Sequence, residues 1–163
     1  PGRGTGPTAA GKMKGLLYVL LQCTWGLLQT AAGVAVLLWY RKCPHSRYHS
    51  AVVTVYPLYS SLSLGPFIFL SDKPPRDRRG LVPHGEISRR LLVHEYGHTV
   101  QSLLLGPLYL PAVGLPSALW AHLPACQRKW RGEVSYFSFF TEKTANSLGE
   151  LAVKEPSMWG IVI

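Results

Sequence analysis

Five residues, His94-Glu95-Tyr96-Gly97-His98, constrain this chain more than any others. They lie in a stretch from Glu86 to Leu105 in which only Gly97 disfavours a helix. Residues four apart on an α-helix share a face, so His94 and His98 can aim two imidazole nitrogens at one metal ion. Glu95 sits one step round. There its carboxylate can take a proton from a water activated by that ion without being a ligand itself. The flanks set the limits of the helix: Gly85, after Pro83-His84, is the start, and Gly106-Pro107 is the stop. Gly97 has no side chain, so a second backbone can approach there. The fold must then bring one more anionic or imidazole group to the face of His94 and His98.

A second stretch limits where the chain can reside. Gly15 to Tyr40 carries no charge over 26 residues, and about 20 apolar residues span a bilayer core. Lys12 and Lys14 precede the run, and Arg41 and Lys42 follow it. A cleavable signal peptide would not need the continuation through Val34 to Tyr40, and Trp39-Tyr40 suits a membrane interface. The expectation is a transmembrane or membrane-anchoring helix over 15–40, in preference to a signal peptide or a buried soluble helix. Gln22 and Gln29, seven apart, share a face and should contact protein rather than lipid. Residues 1–14 are expected to form a disordered Gly/Pro-rich tail, in which Met13-Lys14 resembles a translation start and the residues before it extraneous sequence. Only 15% of residues are charged, yet the net charge is +9. With basic residues scattered and no nucleic-acid motif, this favours an anionic membrane face over nucleic acid. Cys23, Cys43 and Cys126 form no C-x-x-C pair and are expected to be reduced.

Arg41 to Ser50 reads as a basic linker. Ala51–Tyr56 and Pro66–Leu70 are rich in β-branched and aromatic residues and read as two strands, paired antiparallel. Ser71 to Pro83 is a charged loop with Arg76, Arg78 and Arg79. Leu103 to Pro124 is apolar but holds Pro107, Pro111, Pro116 and Pro124. It is therefore expected to be a broken re-entrant or interfacial segment, not a straight span. Basic residues on both of its sides agree. Thr141 to Leu148 is a short helix pattern, capped by Thr141 and closed by Gly149.

His94 to His98 with Gln101-Ser102, and Leu105-Gly106-Pro107-Leu108-Tyr109-Leu110 after them, resemble a group of small bacterial membrane-associated zincins carrying HEYGHxxQS. Ser63 to Leu70 and Thr141 to Gly149 belong to the same resemblance, which covers about residues 15 to 149. More broadly, H-E-x-x-H followed on a separate helix by Glu, and four residues later by Asp or Asn, is similar to the gluzincin branch of zinc metallopeptidases. The resemblance implies Zn2+ held by His94, His98 and a downstream Glu, with Glu95 as general base. Asn146 stands where gluzincins often have Asp; it can orient a ligand histidine, but without charge. Among Glu133, Glu142, Glu150, Glu155 and His122, Glu142 is the preferred third ligand. It alone starts a short helix with Asn146 one turn later. Glu133 lies in a loop, and Glu150 and Glu155 lie beyond Gly149. If Glu142 only serves the helix dipole, His122 makes a three-histidine site.

These readings make the chain α+β. Residues 41–163 form a minimal zincin-like domain of short strands, an active-site helix and a ligand helix, with the apolar segment 103–124 inside it. The expected function is membrane-associated zinc-dependent hydrolysis of a peptide or protein substrate. Tyr96, Tyr136 and His84 are candidate oxyanion donors, and Leu64 to Leu70 is the strand edge that aligns an extended peptide. The alternatives are a catalytically inactive zinc-binding membrane scaffold and a basic headgroup or nucleic-acid binder. The expected location is the bacterial inner membrane. Arg41, Lys42 and Arg47 outnumber Lys12 and Lys14, and free cysteines suit the cytoplasm, so the catalytic part is placed there.

Overall fold

The computed structural model describes residues 9–132 and 134–163. Among them the fold is mixed α+β, with six α-helices and one four-stranded sheet. In chain order these are α1 (Ala9–Thr24), α2 (Leu27–Trp39), β1 (His45–Tyr48), β2 (Ala51–Tyr56), β3 (Leu62–Leu64), β4 (Phe67–Ser71), α3 (His84–Leu105), α4 (Leu115–His122), α5 (Pro124–Gly132) and α6 (Phe140–Val153).

The N-terminal run is not one helix. It is α1 and α2, bent by 100°. No single helix among the described residues is long and apolar enough to cross a membrane, although the bent pair passes together. The bend serves the two glutamines. Gln22 Nε2 donates to the Thr99 carbonyl at 3.0 Å, and Gln29 Nε2 donates to Ser102 Oγ at 3.0 Å and the Gly106 carbonyl at 2.9 Å. Ser102 Oγ donates to Gln22 Oε1 at 3.1 Å. Buried amide donors need partners, and the bend brings both side chains to the same end of α3. Gly26 marks the break; a Cβ there would come within 2.8 Å of Gln22 Oε1. The glutamines do contact protein, as their spacing suggested, but across a bend. Helix α1 also reaches back to Ala9, into the segment expected to be a disordered tail; residues 1–8 of that tail lie outside the described residues.

The sheet order is β1-β2-β4-β3. The expected linker Arg41 to Ser50 contains β1, antiparallel to β2. Strands β2 and β4 pair in parallel, not antiparallel. The reason is β3, which the hydrophobic pattern did not reveal. It forms an antiparallel hairpin with β4 through Gly65-Pro66, where Gly65 takes a φ of +58°. The apolar β4, with Ile68 and Phe69 fully buried, then takes the central slot. The expected edge strand Leu64 to Leu70 is thus largely interior, and β3 is the edge strand on that side of the sheet.

The core between sheet and helices includes Val53, Ile68, Ile87, Leu91, Phe137 and, from the C-terminal end, Met158 and Ile161. Helix α3 matches its sequence limits within a residue and ends at Gly106, φ +53°. The apolar segment after it is broken, as expected: a 3₁₀ turn at Gly106–Leu108, a π turn at Leu110–Gly114, then α4, with a bend of 120°. Helix α6 continues past Gly149 to Val153, and its start at Phe139 has no side-chain cap. Gly149 is therefore not a stop. A Cβ on Gly149 would collide with the Val93 carbonyl, and one on Gly97 would collide with the carbonyl of Ala145. The two glycines let α3 and α6 cross backbone to backbone.

Gly97→Ala is expected to destabilise the fold by about 2–3 kcal/mol, because neither backbone can yield cheaply. That corresponds to a fall in Tm of roughly 5–10 °C. Gly85→Ala, with open space around it, is the control and should leave Tm unchanged or raise it slightly. A thermal melt showing Gly97→Ala as stable as Gly85→Ala would contradict the close crossing.

Candidate metal centre

The crossing of α3 and α6 places His94 and His98 opposite Glu142 and Asn146. His94 Nε2 lies 3.1 Å from Glu142 Oε2, and His98 Nε2 lies 3.5 Å from the same oxygen. One ligand atom from each of the three residues lies within 4.8 Å of the others, so they could together hold a metal ion. All three are buried, with exposures of 2%, 8% and 1% for His94, His98 and Glu142.

The protonation pattern of the histidines follows from their other ring nitrogens. His94 Nδ1 is 2.8 Å from Asn146 Oδ1, and His98 Nδ1 is 2.7 Å from Gln101 Oε1. Both amides are oriented by further bonds. The Met158 N–H donates to Asn146 Oδ1 at 3.2 Å, and Gln101 Nε2 donates to the Thr141 carbonyl at 2.9 Å. The oxygens therefore face the rings, and each Nδ1 carries a hydrogen. In the neutral imidazoles this leaves both Nε2 lone pairs directed at one carboxylate oxygen, an arrangement that needs a cation between them.

In the metal-free centre a proton supplies that cation. Burial alone would lower the His98 pKa, but the Glu142 carboxylate outweighs it and raises the value to about 9. Burial pushes Glu142 the other way from its histidines, and their charge wins, holding its carboxyl well below the usual range. A raised histidine pKa stabilises the metal-free fold fully below about 6.5, and the contribution is lost as pH rises through about 9. A metal must displace that proton. Affinity for zinc should therefore rise about tenfold per pH unit up to about pH 9, with about one proton released per ion. Calorimetry in buffers of different ionisation enthalpy measures the release, and a pH-independent affinity would remove the proton from the site.

Glu95 is 5% exposed and does not belong to the three-residue cluster. Ser63 Oγ on β3 donates to Glu95 Oε2 at 2.7 Å and to the Glu95 carbonyl at 2.9 Å. The edge strand thus holds the carboxylate in place. Tyr109, from the broken segment, is buried and donates to the Ser63 carbonyl at 3.3 Å. Thr141 Oγ1 donates to Glu142 Oε1 at 3.2 Å and accepts from Ser117 Oγ at 2.8 Å. Phe137 packs edge-on against the His94 ring, centroids 5.0 Å apart.

Two of the three expected oxyanion donors lie elsewhere. His84 is the exposed first residue of α3, about 15 Å along the helix from His94. Tyr96, two residues after His94, faces away and packs against Tyr48 and His49 in the core. Only Tyr136 is close: burial, then the charges of Glu142 and Glu95, push its phenol well above the usual value. The rival third ligands are also placed. His122 is exposed, Glu150 accepts from Ser157, and Glu155 pairs with Arg89; Glu133 lies outside the described residues. Ser63 and Tyr109 escaped the sequence reading of the site because only tertiary packing brings them to Glu95. Gln101 had a local signal, three residues after His98 on the same helix face. No family model, curated protein or solved structure matches the chain.

Proposed function

We propose that the protein is a zinc-dependent peptidase associated with membranes. The supporting observation is the pair of Nε2 lone pairs aimed at Glu142 Oε2, with Glu95 beside them. Two imidazoles and one carboxylate form a donor set suited to zinc, with a position left for water or substrate. When bound, zinc supplies a Lewis acid that polarises a carbonyl and lowers the pKa of water. Glu95 accepts the proton of the attacking water and returns it to the departing amine. Ser63 keeps the Glu95 carboxylate in one orientation through the Oγ hydrogen bond. Asn146 and Gln101 fix the histidine tautomers. Tyr136 is the donor retained from the sequence for the developing oxyanion, and Tyr109 joins it as a second phenol beside the Ser63–Glu95 pair. The edge strand β3 lies next to Glu95, and an extended substrate aligned along it replaces the Tyr109 contact to the Ser63 carbonyl.

The burial of all three ligands favours a second reading, a closed structural zinc centre in a membrane scaffold. Purified protein should contain zinc and hydrolyse a peptide library, lose that activity to a chelator, and regain it when zinc is restored. Stoichiometric zinc without hydrolysis of any peptide would instead establish the scaffold.

A further inference from the structure

The segment that covers the centre has two dissimilar sides. Inward, Tyr109 bonds Ser63, Ser117 bonds Thr141 beside Glu142, and Trp120 Nε1 donates to the Tyr136 carbonyl at 2.9 Å. Outward, Leu108, Leu115 and Leu119 of the same segment are exposed. A groove lined by Trp25, Leu28, Ala31 and Pro107 adjoins the segment to the bent pair α1–α2, whose Leu16, Leu20 and Leu27 are exposed as well. The two bent pairs thus meet at one apolar groove, and both carry exposed leucines. Each pair runs directly into exposed cations: Arg41 and Lys42 after α2, and Arg128, Lys129 and Arg131 on α5 after α4. An apolar surface on elements that lead into exposed cations, on a chain of net charge +9, complements an anionic bilayer, with leucines among the acyl chains and cations at the headgroups.

We propose that this face rests on an anionic lipid surface and that the substrate is a polypeptide segment held at the same surface, admitted to the centre past the Gly106–His122 segment. The inference rests on the peptidase reading and adds the class of substrate. Ligands no more than 8% exposed admit a polypeptide only if a covering segment moves. The segment joined to Ser63, Thr141 and Tyr136 is the one whose outer side would contact lipid. A peptide confined to that surface is concentrated where the opening would form.

The test uses the zinc-loaded full chain and vesicles of phosphatidylcholine with or without phosphatidylglycerol. One peptide library is offered free in solution and, in N-palmitoylated form, within the vesicles. The chain should float with the anionic vesicles and cleave the palmitoylated library about tenfold faster or more than the free one. The double variant Leu115→Glu, Leu119→Glu alters only exposed positions. It should keep its zinc, lose most of its flotation, and lose the tenfold preference. Equal rates on the two libraries, no flotation, or a variant that keeps the preference each overturn the proposal while leaving the zinc-peptidase reading intact, and absent flotation also removes its membrane association. Zinc bound with neither library cleaved overturns the peptidase reading and this inference with it.

Discussion

His94→Ala is expected to lower zinc affinity by about two to three orders of magnitude. Structural zinc sites bind with roughly 10–16 kcal/mol spread over about four ligands, so one ligand corresponds to roughly 2.5–4 kcal/mol. His98→Ala and Glu142→Ala should fall in the same range, because all three residues converge within 4.8 Å. Asn146→Ala and Gln101→Ala should cost less, about 10- to 100-fold, since each fixes only a ring tautomer. The hydrogen-bond pattern adds a pairing to this ranking. Asn146→Asp should restore or exceed wild-type affinity, because a carboxylate accepts the same Nδ1 hydrogen with added charge. His122→Ala should have no effect, being an exposed residue outside the cluster. Competition against a chromogenic chelator measures the whole series. A Glu142→Ala variant that binds zinc like wild type, alongside a His122→Ala variant that does not, would replace the site with a three-histidine one.

The candidate metal-binding cluster was legible because each half is local. His94 and His98 are one helical turn apart, and so are Glu142 and Asn146, so each pair announces a face without tertiary information. What joins the halves was half legible. Gly97 signals a close backbone approach, but the partner, Ala145, and the reciprocal Gly149 emerge only in the crossing. Gly149 misled as a helix stop because a glycine that admits a backbone and one that ends a helix look alike in sequence. The bend between α1 and α2 was hidden for a different reason. Hydropathy records that residues 15–40 are uncharged, yet two buried amides decide the shape by needing Thr99, Ser102 and Gly106 as partners. Strand direction was hidden because alternation identifies a strand and not its neighbour, and three-residue β3 was too short to register. Tyr96 could have been set aside from spacing alone. Two helical residues are about 200° apart, so it cannot share the face of His94.

Glu95→Gln is expected to reduce hydrolysis by about 10²–10⁴-fold while leaving zinc content, Tm and vesicle binding near wild type. Glu95 lies outside the cluster of His94, His98 and Glu142, so removing its charge takes no ligand from the ion. Its polar contact also survives, since the amide oxygen can still accept from Ser63 Oγ, which also bonds the Glu95 carbonyl. What the amide cannot do is accept a proton, and that isolates the chemical role from the structural one. Ser63→Ala supplies the graded comparison. It leaves a base but frees its carboxylate to rotate, so turnover should fall by a smaller factor, roughly tenfold, with zinc retained. The order wild type, Ser63→Ala, Glu95→Gln at constant zinc is the signature of a positioned general base on the α3 face. A Glu95→Gln variant with near wild-type turnover would transfer that role elsewhere. Tyr109 and Tyr136 could not inherit it at neutral pH, because a phenol acts as a proton donor there and not as a base.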